Sequence, residues 1–374
     1  MKKILILQLL GKSFGGVWQV NKMIGEKFIS LGYDVSVVFL RDNQNDLVVT
    51  HDPKLRLFTI NPIDNWDDIP RKKDVLKFNV SPMKYVYEYK KLRNDFKELK
   101  NYIKKYDPDY IINSHYQLLD GIPKDYLCKT IHEQHTAFSA TYSHLGTRKI
   151  LNKYNNKVLF VWLSKASCEE ALNKGYNNSY YIYNAVRFDS NRKSSVVSNK
   201  KLVTITRLSY EKRIDLMIEI VNDILKDNKL KDWILEIYGT GPEEDKLKIL
   251  VQGNNNIKMM GRTDNPKDVL LSSSINLNTS LFEGFSLSIL EANECGVPTI
   301  SFDFGESSSE EIINNKTGII ANDINSYKNK LKELMLDNNM LKEMSIECKK
   351  FNKNFKIDNI INKWLELFKI IDNR

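Results

Sequence analysis

Residues 4–39 read ILILQLLGKSFGGVWQVNKMIGEKFISLGYDVSVVF, and this stretch decides the fold. An apolar run from Ile4 to Leu10 predicts a buried strand. Apolar residues then recur at helical spacing, at Val17, Val20, Ile24, Phe28 and Leu31. A second run, Val35 to Phe39, follows Gly32 and predicts another strand. Strand, turn, helix and strand in this order indicate a parallel βαβ unit, from which doubly wound α/β domains are built.

The α/β alternation restarts in the second half of the chain. Residues 187–201 are polar and have no apolar period, which is typical of a linker. A strand from Leu202 to Ile205 and a helix that starts near Ile214 follow. We therefore predict a first Rossmann-like domain over residues 1–183, a linker over 184–200, a second Rossmann-like domain over 201–355 and a terminal helix over 356–374.

Length and composition limit the classes to which the protein can belong. A chain of 374 residues is long for one core and comfortable for two domains. Its 42% hydrophobic and 28% charged residues are typical of a globular protein, not a disordered one. The four cysteines lie far apart without a C-x-x-C pair, so neither a zinc cage nor a disulfide framework is expected. We expect a cytoplasmic protein, with the inner face of the cell membrane as an open alternative.

The net charge of +9 favours an anionic partner. A nucleotide sugar, a polyanionic acceptor and an acidic membrane surface all satisfy this condition. A nucleic acid is not expected, because the sequence has no helix-turn-helix, zinc-finger or aromatic RNA-binding signature.

Two glutamates eight residues apart bracket a loop of small residues and the start of an apolar helix. The segment is FEGFSLSILEA, residues 282–292, with the carboxylates at Glu283 and Glu291. Free N–H groups at a helix N-terminus favour a phosphate or sugar-phosphate ligand, and a nucleotide sugar fits this chemistry. The alternative is purely structural: Ser288 and Glu291 have the spacing of a capping box.

Two glycine-containing segments lack a glycine that their phosphate motifs need. Gly11-Lys12-Ser13 ends like a P-loop, but Ile6 stands at the first glycine position. Gly239-Thr240-Gly241 has Glu244 at the third glycine position of a dinucleotide fingerprint. Neither an ATPase nor a dehydrogenase is therefore expected.

Glycines and cations elsewhere offer further candidate contacts to a diphosphate. Gly15 and Gly16 follow the first strand, where a diphosphate could approach the backbone; a tight turn is the structural alternative. Arg207 and Lys212 follow the first strand of the second domain and could stabilise charge on a departing diphosphate. A solvated surface pair is the structural alternative for these two cations.

The segment His132-Glu133-Gln134-His135 lies where a predicted strand meets its loop. Open α/β sheets bind ligands at this edge. The spacing of the histidines does not match the i, i+4 zinc pair of a helix. We predict that His132 is structural and that His135, which lies further beyond the strand, is the site residue.

In this order along the chain, these motifs resemble family-four retaining glycosyltransferases of the GT-B fold (glycosyl transferases group 1), of the bacterial cell-envelope type. The resemblance covers nearly the whole chain. Its carriers are Gly15-Gly16, His135-Thr136, Ser164-Lys165, Asn184-Ala185-Val186, the segment from Arg207 to Lys212, the segment from Tyr238 to Glu243, Gly261, the segment from Glu283 to Pro298 and Thr317-Gly318. It implies two doubly wound domains facing a central cleft, with a C-terminal helix that crosses back to the first domain.

The resemblance also implies roles for individual residues. Glu291 would bind the ribose hydroxyls and Glu283 the donor sugar, which His135 would also touch. Arg207 and Lys212 would hold the diphosphate. The remaining nucleotide-binding residues would be Gly15, Gly16, Gly239, Ser286 and Leu287. The chain departs from the family pattern at several positions, among them Ala185 for glycine, Arg187 for aspartate, Ser286 for glycine and the segment from Gly305 to Ser309.

The implied activity is transfer of a hexose or N-acetylhexosamine from a nucleotide diphosphate sugar, with UDP favoured, and with retention of configuration. The acceptor would be a cell-surface glycan, or a teichoic-acid-like, lipid-linked or protein-linked molecule. No cofactor is expected, and no metal, because no Asp-x-Asp pair follows a strand. Two alternatives stay open: a catalytically silent GT-B subunit of a transferase complex, and a sugar-nucleotide epimerase.

One predicted helix, residues 82–106, has a strongly basic face. Apolar and aromatic residues form its other face, so a core-packed helix with a solvated basic side is the structural interpretation. The functional hypothesis is that the basic face contacts an anionic membrane or guides an anionic acceptor.

Overall fold

The structure is a computed structural model. It describes residues 1–11, 16–43, 50–63, 82–191, 193–305 and 307–374, without the side chains of residues 43 and 82–91. The chain forms two compact units. The first comprises Met1–Leu163, Ser167–Ile182 and Ile360–Arg374, and the second comprises Ser164–Ala166 and Tyr183–Asn359. The segment predicted as a linker, residues 184–200, is thus part of the second unit.

The first unit contains a parallel sheet of seven strands. These are β1 (Lys3–Leu10), β2 (Asp34–Asn43), β3 (Arg56–Ile63), β4 (Tyr110–Asn113), β5 (Thr130–Gln134), β6 (Leu159–Trp162) and β7 (Ser179–Tyr181). Their order in the sheet is β3-β2-β1-β4-β5-β6-β7. The strand order reverses between β1 and β4, which makes this a doubly wound sheet.

Helices join the strands of the first unit. They are α1 (Gly16–Ser30), α2 (Pro82–Tyr106), α3 (Phe138–Ser143), α4 (Leu145–Tyr154) and α5 (Lys165–Asn173). The predicted βαβ unit is confirmed: β1 and β2 pair in parallel, with Ile4 opposite Val35, and α1 connects them. Helix α1 buries Val20, Ile24 and Phe28, as its apolar spacing predicts, whereas Leu31 of that pattern lies beyond the helix and is 45% exposed.

The second unit contains a parallel sheet of six strands. These are β8 (Lys201–Ile205), β9 (Ile234–Tyr238), β10 (Ile257–Gly261), β11 (Ile275–Asn278), β12 (Thr299–Phe302) and β13 (Gly318–Ala321), in the order β10-β9-β8-β11-β12-β13. The helices are α6 (Ile214–Ile224), α7 (Glu244–Val251), α8 (Pro266–Leu271), α9 (Leu287–Cys295), α10 (Ser308–Glu311), α11 (Ile324–Leu336) and α12 (Asn338–Asn352). The order reverses between β8 and β11, so the loops that follow these two strands meet at one edge.

The C-terminal helix, α13 (Ile357–Asp372), belongs to the first unit from Ile360 onwards. Its Phe368 ring stacks on Tyr110, with 3.9 Å between ring centroids, and lies 5.2 Å from Phe28. Lys2 Nζ and an Asp372 oxygen are 2.6 Å apart. Buried aromatic contact of this kind fixes the helix on the first unit. The predicted fold class, two doubly wound domains with a terminal helix that returns to the first, is confirmed.

Candidate functional site

The first feature of the candidate site is the start of helix α9. The helix begins at Leu287 with Ser286 as its N-cap residue, and no side chain caps it. Ser288 therefore lies in the first turn, and its Oγ is 3.0 Å from Ser286 Oγ. The capping-box interpretation of Ser288 and Glu291 is wrong, because neither side chain bonds the N-cap backbone. The first-turn N–H groups of an uncapped helix remain available to an anion.

A lysine and a glutamate meet at the carboxyl edge of the second sheet. Lys212 Nζ lies 2.5 Å from Glu283 Oε1, which also accepts a bond of 2.7 Å from Ser280 Oγ. Thr279 Oγ1 donates to Lys212 O at 2.8 Å. These bonds join the loop after β8 to the loop after β11, two neighbouring strands. The structure thus brings Lys212 and Glu283 together, and Lys212 is not a solvated surface cation.

Glu311 is a buried carboxyl group that the sequence did not single out. The Ser286 N–H donates to Glu311 Oε2 at 2.8 Å, and the Glu311 side chain is fully buried. Burial, and next the negative charge of Glu283, raise the pKa of Glu311 well above its usual value. The Ser286 N–H is thus engaged by Glu311 and is not free for a phosphate, in contrast to the sequence expectation for Ser286.

Glu291 lies on helix α9 and is paired with Arg187. Arg187 Nη2 donates to Glu291 Oε2 at 2.7 Å, and Arg187 Nε donates to the other oxygen. The exposed fraction of the side chain is 26% for Arg187 and 1% for Glu291. Arg187 is one of the residues that depart from the family pattern, and only the folded structure reveals its partner.

Arg207 and Gly239 lie on adjacent loops after β8 and β9. The Arg207 side chain is 69% exposed and pairs with Glu211 Oε1 at 2.5 Å. At Gly239, where φ is +141°, an added Cβ would lie 1.8 Å from Thr206 O. Glycine is required at this position because two backbones approach closely. Gly239 therefore shapes the loop that carries Arg207.

Histidines lie beside the carboxyl ends of β4 and β5 in the first unit. His132 Nδ1 is 3.0 Å from Asn113 O, and His132 Nε2 is 3.2 Å from Gln134 Oε1. Burial lowers the pKa of His132 to about 4, and burial together with His132 and His135 lowers that of His115 to about 4. His132 is thus a buried, neutral, hydrogen-bonded residue, as predicted.

His135 follows β5 and has an acidic neighbour. Its Nε2 lies 3.2 Å from Glu133 Oε2, without hydrogen-bond alignment. Gly16 is the first residue of α1. Gly15 lies outside the described residues. The structure thus shows a Glu133–His135 contact that the sequence did not suggest.

Comparison with known proteins identifies a family match in the second unit. Residues 186–351 match the family of glycosyl transferases group 1. The second unit of this chain therefore matches that family. The matched range contains Arg187, Arg207, Lys212, Glu283 and Glu291, whereas the candidate residues of the first unit lie outside it.

Several relatives with curated names are glycosyltransferases. A poly(ribitol-phosphate) α-N-acetylglucosaminyltransferase from Staphylococcus aureus is 28% identical over 243 residues, which are 63% of this chain and 48% of that protein. An uncharacterized glycosyltransferase from Haemophilus influenzae is 25% identical over 97% of this chain and 99% of its own length. This chain thus spans about half the length of the Staphylococcus aureus relative.

Solved structures of known proteins share the fold. A Staphylococcus aureus TarM variant in complex with fondaparinux, α-GlcNAc-glycerol and UDP aligns with a TM-score of 0.78 at 16% identity, over 98% of this chain and all of that chain. This likeness identifies the two doubly wound units as a GT-B fold.

Two further observations hold for the described residues of this chain. They contain no group of three or more histidine, cysteine, aspartate or glutamate side chains that could hold a metal ion. None of their helices is long and apolar enough to cross a bilayer.

Proposed function

We propose that this protein is a retaining glycosyltransferase that moves a hexose or N-acetylhexosamine from a UDP-sugar to an anionic cell-envelope polymer. The observation that carries the proposal is the meeting of Lys212, Glu283 and the uncapped end of helix α9 at one sheet edge of a group 1 domain. A cation and free N–H groups suit a diphosphate, and the nearby carboxylate suits sugar hydroxyls.

The chemistry follows from where charge develops. The bond between the anomeric carbon and the diphosphate breaks, and its electron pair stays on the UDP oxygen. Lys212 and the first-turn N–H groups of α9 stabilise that charge. The stabilisation thus comes from side-chain and backbone groups of the protein. The acceptor hydroxyl attacks the same face of the sugar and passes its proton to the leaving phosphate oxygen. Attack on this face retains the anomeric configuration.

Lys212 must exchange partners when the donor binds. In the structure its ammonium group contacts Glu283, so a diphosphate would draw the ammonium group from the carboxylate. Glu283 would then be free to accept hydroxyl groups of the donor sugar. One ion pair thereby keeps both charges compensated before the substrate arrives.

The relatives and the charge of the chain support the choice of donor and acceptor. The TarM variant was crystallised with UDP, and the Staphylococcus aureus relative acts on poly(ribitol-phosphate), a polymer of phosphodiesters. A net charge of +9 favours an acceptor of that kind. In the described part of α2, Lys97, Lys100 and Lys104 are exposed while Leu99 and Ile103 are buried. This basic face would guide the polymer.

A panel of nucleotide sugars with a poly(ribitol-phosphate) or poly(glycerol-phosphate) acceptor tests the proposal. We expect release of UDP that depends on the acceptor, with an α-linked product from an α-linked donor. Binding of UDP without turnover would favour the silent subunit, and a changed sugar without acceptor would favour the epimerase.

The role of the basic face has its own test. Changing Lys97, Lys100 and Lys104 to Glu should raise the KM for the polymer and leave the KM for the UDP-sugar unchanged. Sedimentation with acidic vesicles distinguishes a membrane role, because the same variant should then lose vesicle binding. Unchanged behaviour in both assays would leave the basic face as a solvated helix surface.

A further inference from the structure

The contact between Arg187 and Glu291 has the geometry of a fork. Arg187 Nε and Nη2 each donate to a different oxygen of the Glu291 carboxylate, the second at 2.7 Å. A planar guanidinium can form two such parallel bonds, whereas a lysine ammonium group cannot. The contact therefore fixes the plane of the carboxylate as well as its position.

Both partners of this pair are anchored to the same part of the second unit. The Val186 N–H donates to Phe355 O at 2.9 Å, and the Ser190 N–H donates to Glu294 Oε1 at 3.0 Å. Glu294 lies three residues after Glu291 on α9, so both carboxylates face the segment 187–190. The segment is thus held along the helix, and Arg187 is preorganised toward Glu291.

The fork leaves acceptor capacity on Glu291. An ionised carboxylate has about four lone-pair positions, two on each oxygen. Arg187 uses one position on each oxygen, so one remains on each. Two neighbouring hydroxyl groups, such as the 2′ and 3′ hydroxyls of a ribose, match that remaining pair. Arg187 also supplies the opposite charge beside a carboxylate that is almost wholly buried, where an unpaired charge would be costly.

We propose that Arg187 is a positioning residue, which orients the Glu291 carboxylate toward the ribose hydroxyls of the donor and thereby sets nucleotide affinity and ribose specificity. This inference rests on the proposed function, because it takes the ligand of Glu291 to be the donor nucleotide. It assigns a task to one of the positions at which the chain departs from the family pattern.

Binding of UDP and of 2′-deoxy-UDP to the full-length protein tests the inference by calorimetry. The wild type should prefer UDP by about tenfold, the difference that one hydrogen bond to a charged group makes. Arg187→Met should weaken UDP binding by about tenfold and reduce that preference to about twofold or less, while binding of 2′-deoxy-UDP changes little. Glu291→Gln should show the same loss of preference.

Two further variants separate positioning from stability. Arg187→Lys keeps the buried charge compensated but cannot form the fork, so it should fold and should recover only part of the preference for UDP. Lys328→Met is the matched control: it removes a cation that is 2.7 Å from Asp223 in the same unit, and it should bind both nucleotides like the wild type.

The outcomes distinguish this inference from the proposed function. Failure of the wild type to bind UDP would contradict the proposed function. Normal UDP binding and an unchanged preference in both Arg187→Lys and Arg187→Met would overturn the positioning role alone. Tighter UDP binding by Arg187→Met would also overturn it, since Arg187 would then cover Glu291. Should Arg187→Met fail to fold, Arg187→Lys and Glu291→Gln decide the question.

Discussion

The carboxyl edges of the two sheets carry different chemistry. At the edge of the second sheet, cations meet carboxylates in pairs: Lys212 with Glu283, Arg187 with Glu291 and Arg207 with Glu211. At the edge of the first sheet, His115 and His132 are buried and neutral, and their pKa values are lowered to about 4. Ion pairs can exchange a partner for an anionic ligand, whereas neutral polar groups suit uncharged hydroxyls. The same kind of sheet edge thus carries several cation–carboxylate pairs in one unit, and in the other two buried neutral histidines beside the Glu133–His135 contact.

Replacement of Lys212 should have the largest effect on turnover. Lys212→Met removes a charge aimed at the leaving diphosphate, so we expect kcat to fall by about 10²–10³-fold, the range for loss of one electrostatic donor. Steady-state UDP release measures this change, and circular dichroism verifies the fold. Lys328→Met serves again as the control. Turnover of Lys212→Met near the wild-type rate would show that Lys212 does not stabilise the leaving group.

The first edge should respond to acid. The unfolded chain takes up protons on His132 below its ordinary pKa of 6.5, whereas the folded chain does so only near pH 4. The stability that His132 contributes is therefore fully present above pH 6.5 and is lost as the pH falls toward 4. His132→Gln should weaken this dependence in chemical unfolding between pH 7 and pH 4.5. A dependence identical to that of the wild type would show that His132 is not the group involved.

The second edge should respond in the opposite direction. Glu311 has a raised pKa in the folded state, so the unfolded chain releases its proton first, above the ordinary value of 4.5. The folded state therefore loses stability as the pH rises above 4.5, until Glu311 ionises in the folded protein as well. Glu311→Gln keeps an acceptor for the Ser286 N–H and cannot ionise. Melting temperatures should therefore favour this variant more at pH 8 than at pH 5, and parallel curves would contradict the assignment.

The smallest effect is expected from the neighbour of His135. Glu133→Gln keeps the shape of the side chain and removes a charge 3.2 Å from His135 Nε2. The proposed function places the diphosphate charge at the second edge, so kcat/KM should fall by less than about tenfold, the scale of one hydrogen bond. A loss as large as that of Lys212→Met would mean that the first edge also carries catalytic charge.

Much of the fold could be predicted because long apolar runs and helical periods recur along the chain. Three strands lack a clear sequence signal, each for a local reason. β3 contains Pro62 and lies at the edge of its sheet, and β7 has only three residues, too few to show alternation. β13 begins with Gly318, whose Cβ would lie 2.1 Å from Thr299 O, so close packing excluded a typical strand residue there.

The site was predictable only where its residues are close in sequence. Glu283 and Glu291 share one segment, and their spacing could be read directly. Arg187 and Glu291 lie 104 residues apart, so their pairing depends on the fold. Glu311 has no motif of its own, and its bond to the Ser286 N–H spans 25 residues. Sequence patterns therefore indicated the ligand class but not the groups that hold the site residues.

The central claim is that the uncapped start of α9 and Lys212 bind the donor diphosphate. Amide hydrogen exchange with and without UDP tests it most directly, because the first-turn N–H groups of α9 have no helical acceptor. The account predicts that saturating UDP slows exchange at Leu287, Ser288 and Ile289 in the wild type, and much less in Lys212→Met at the same UDP concentration. Unchanged exchange at these residues in a wild-type protein that binds UDP would contradict the account.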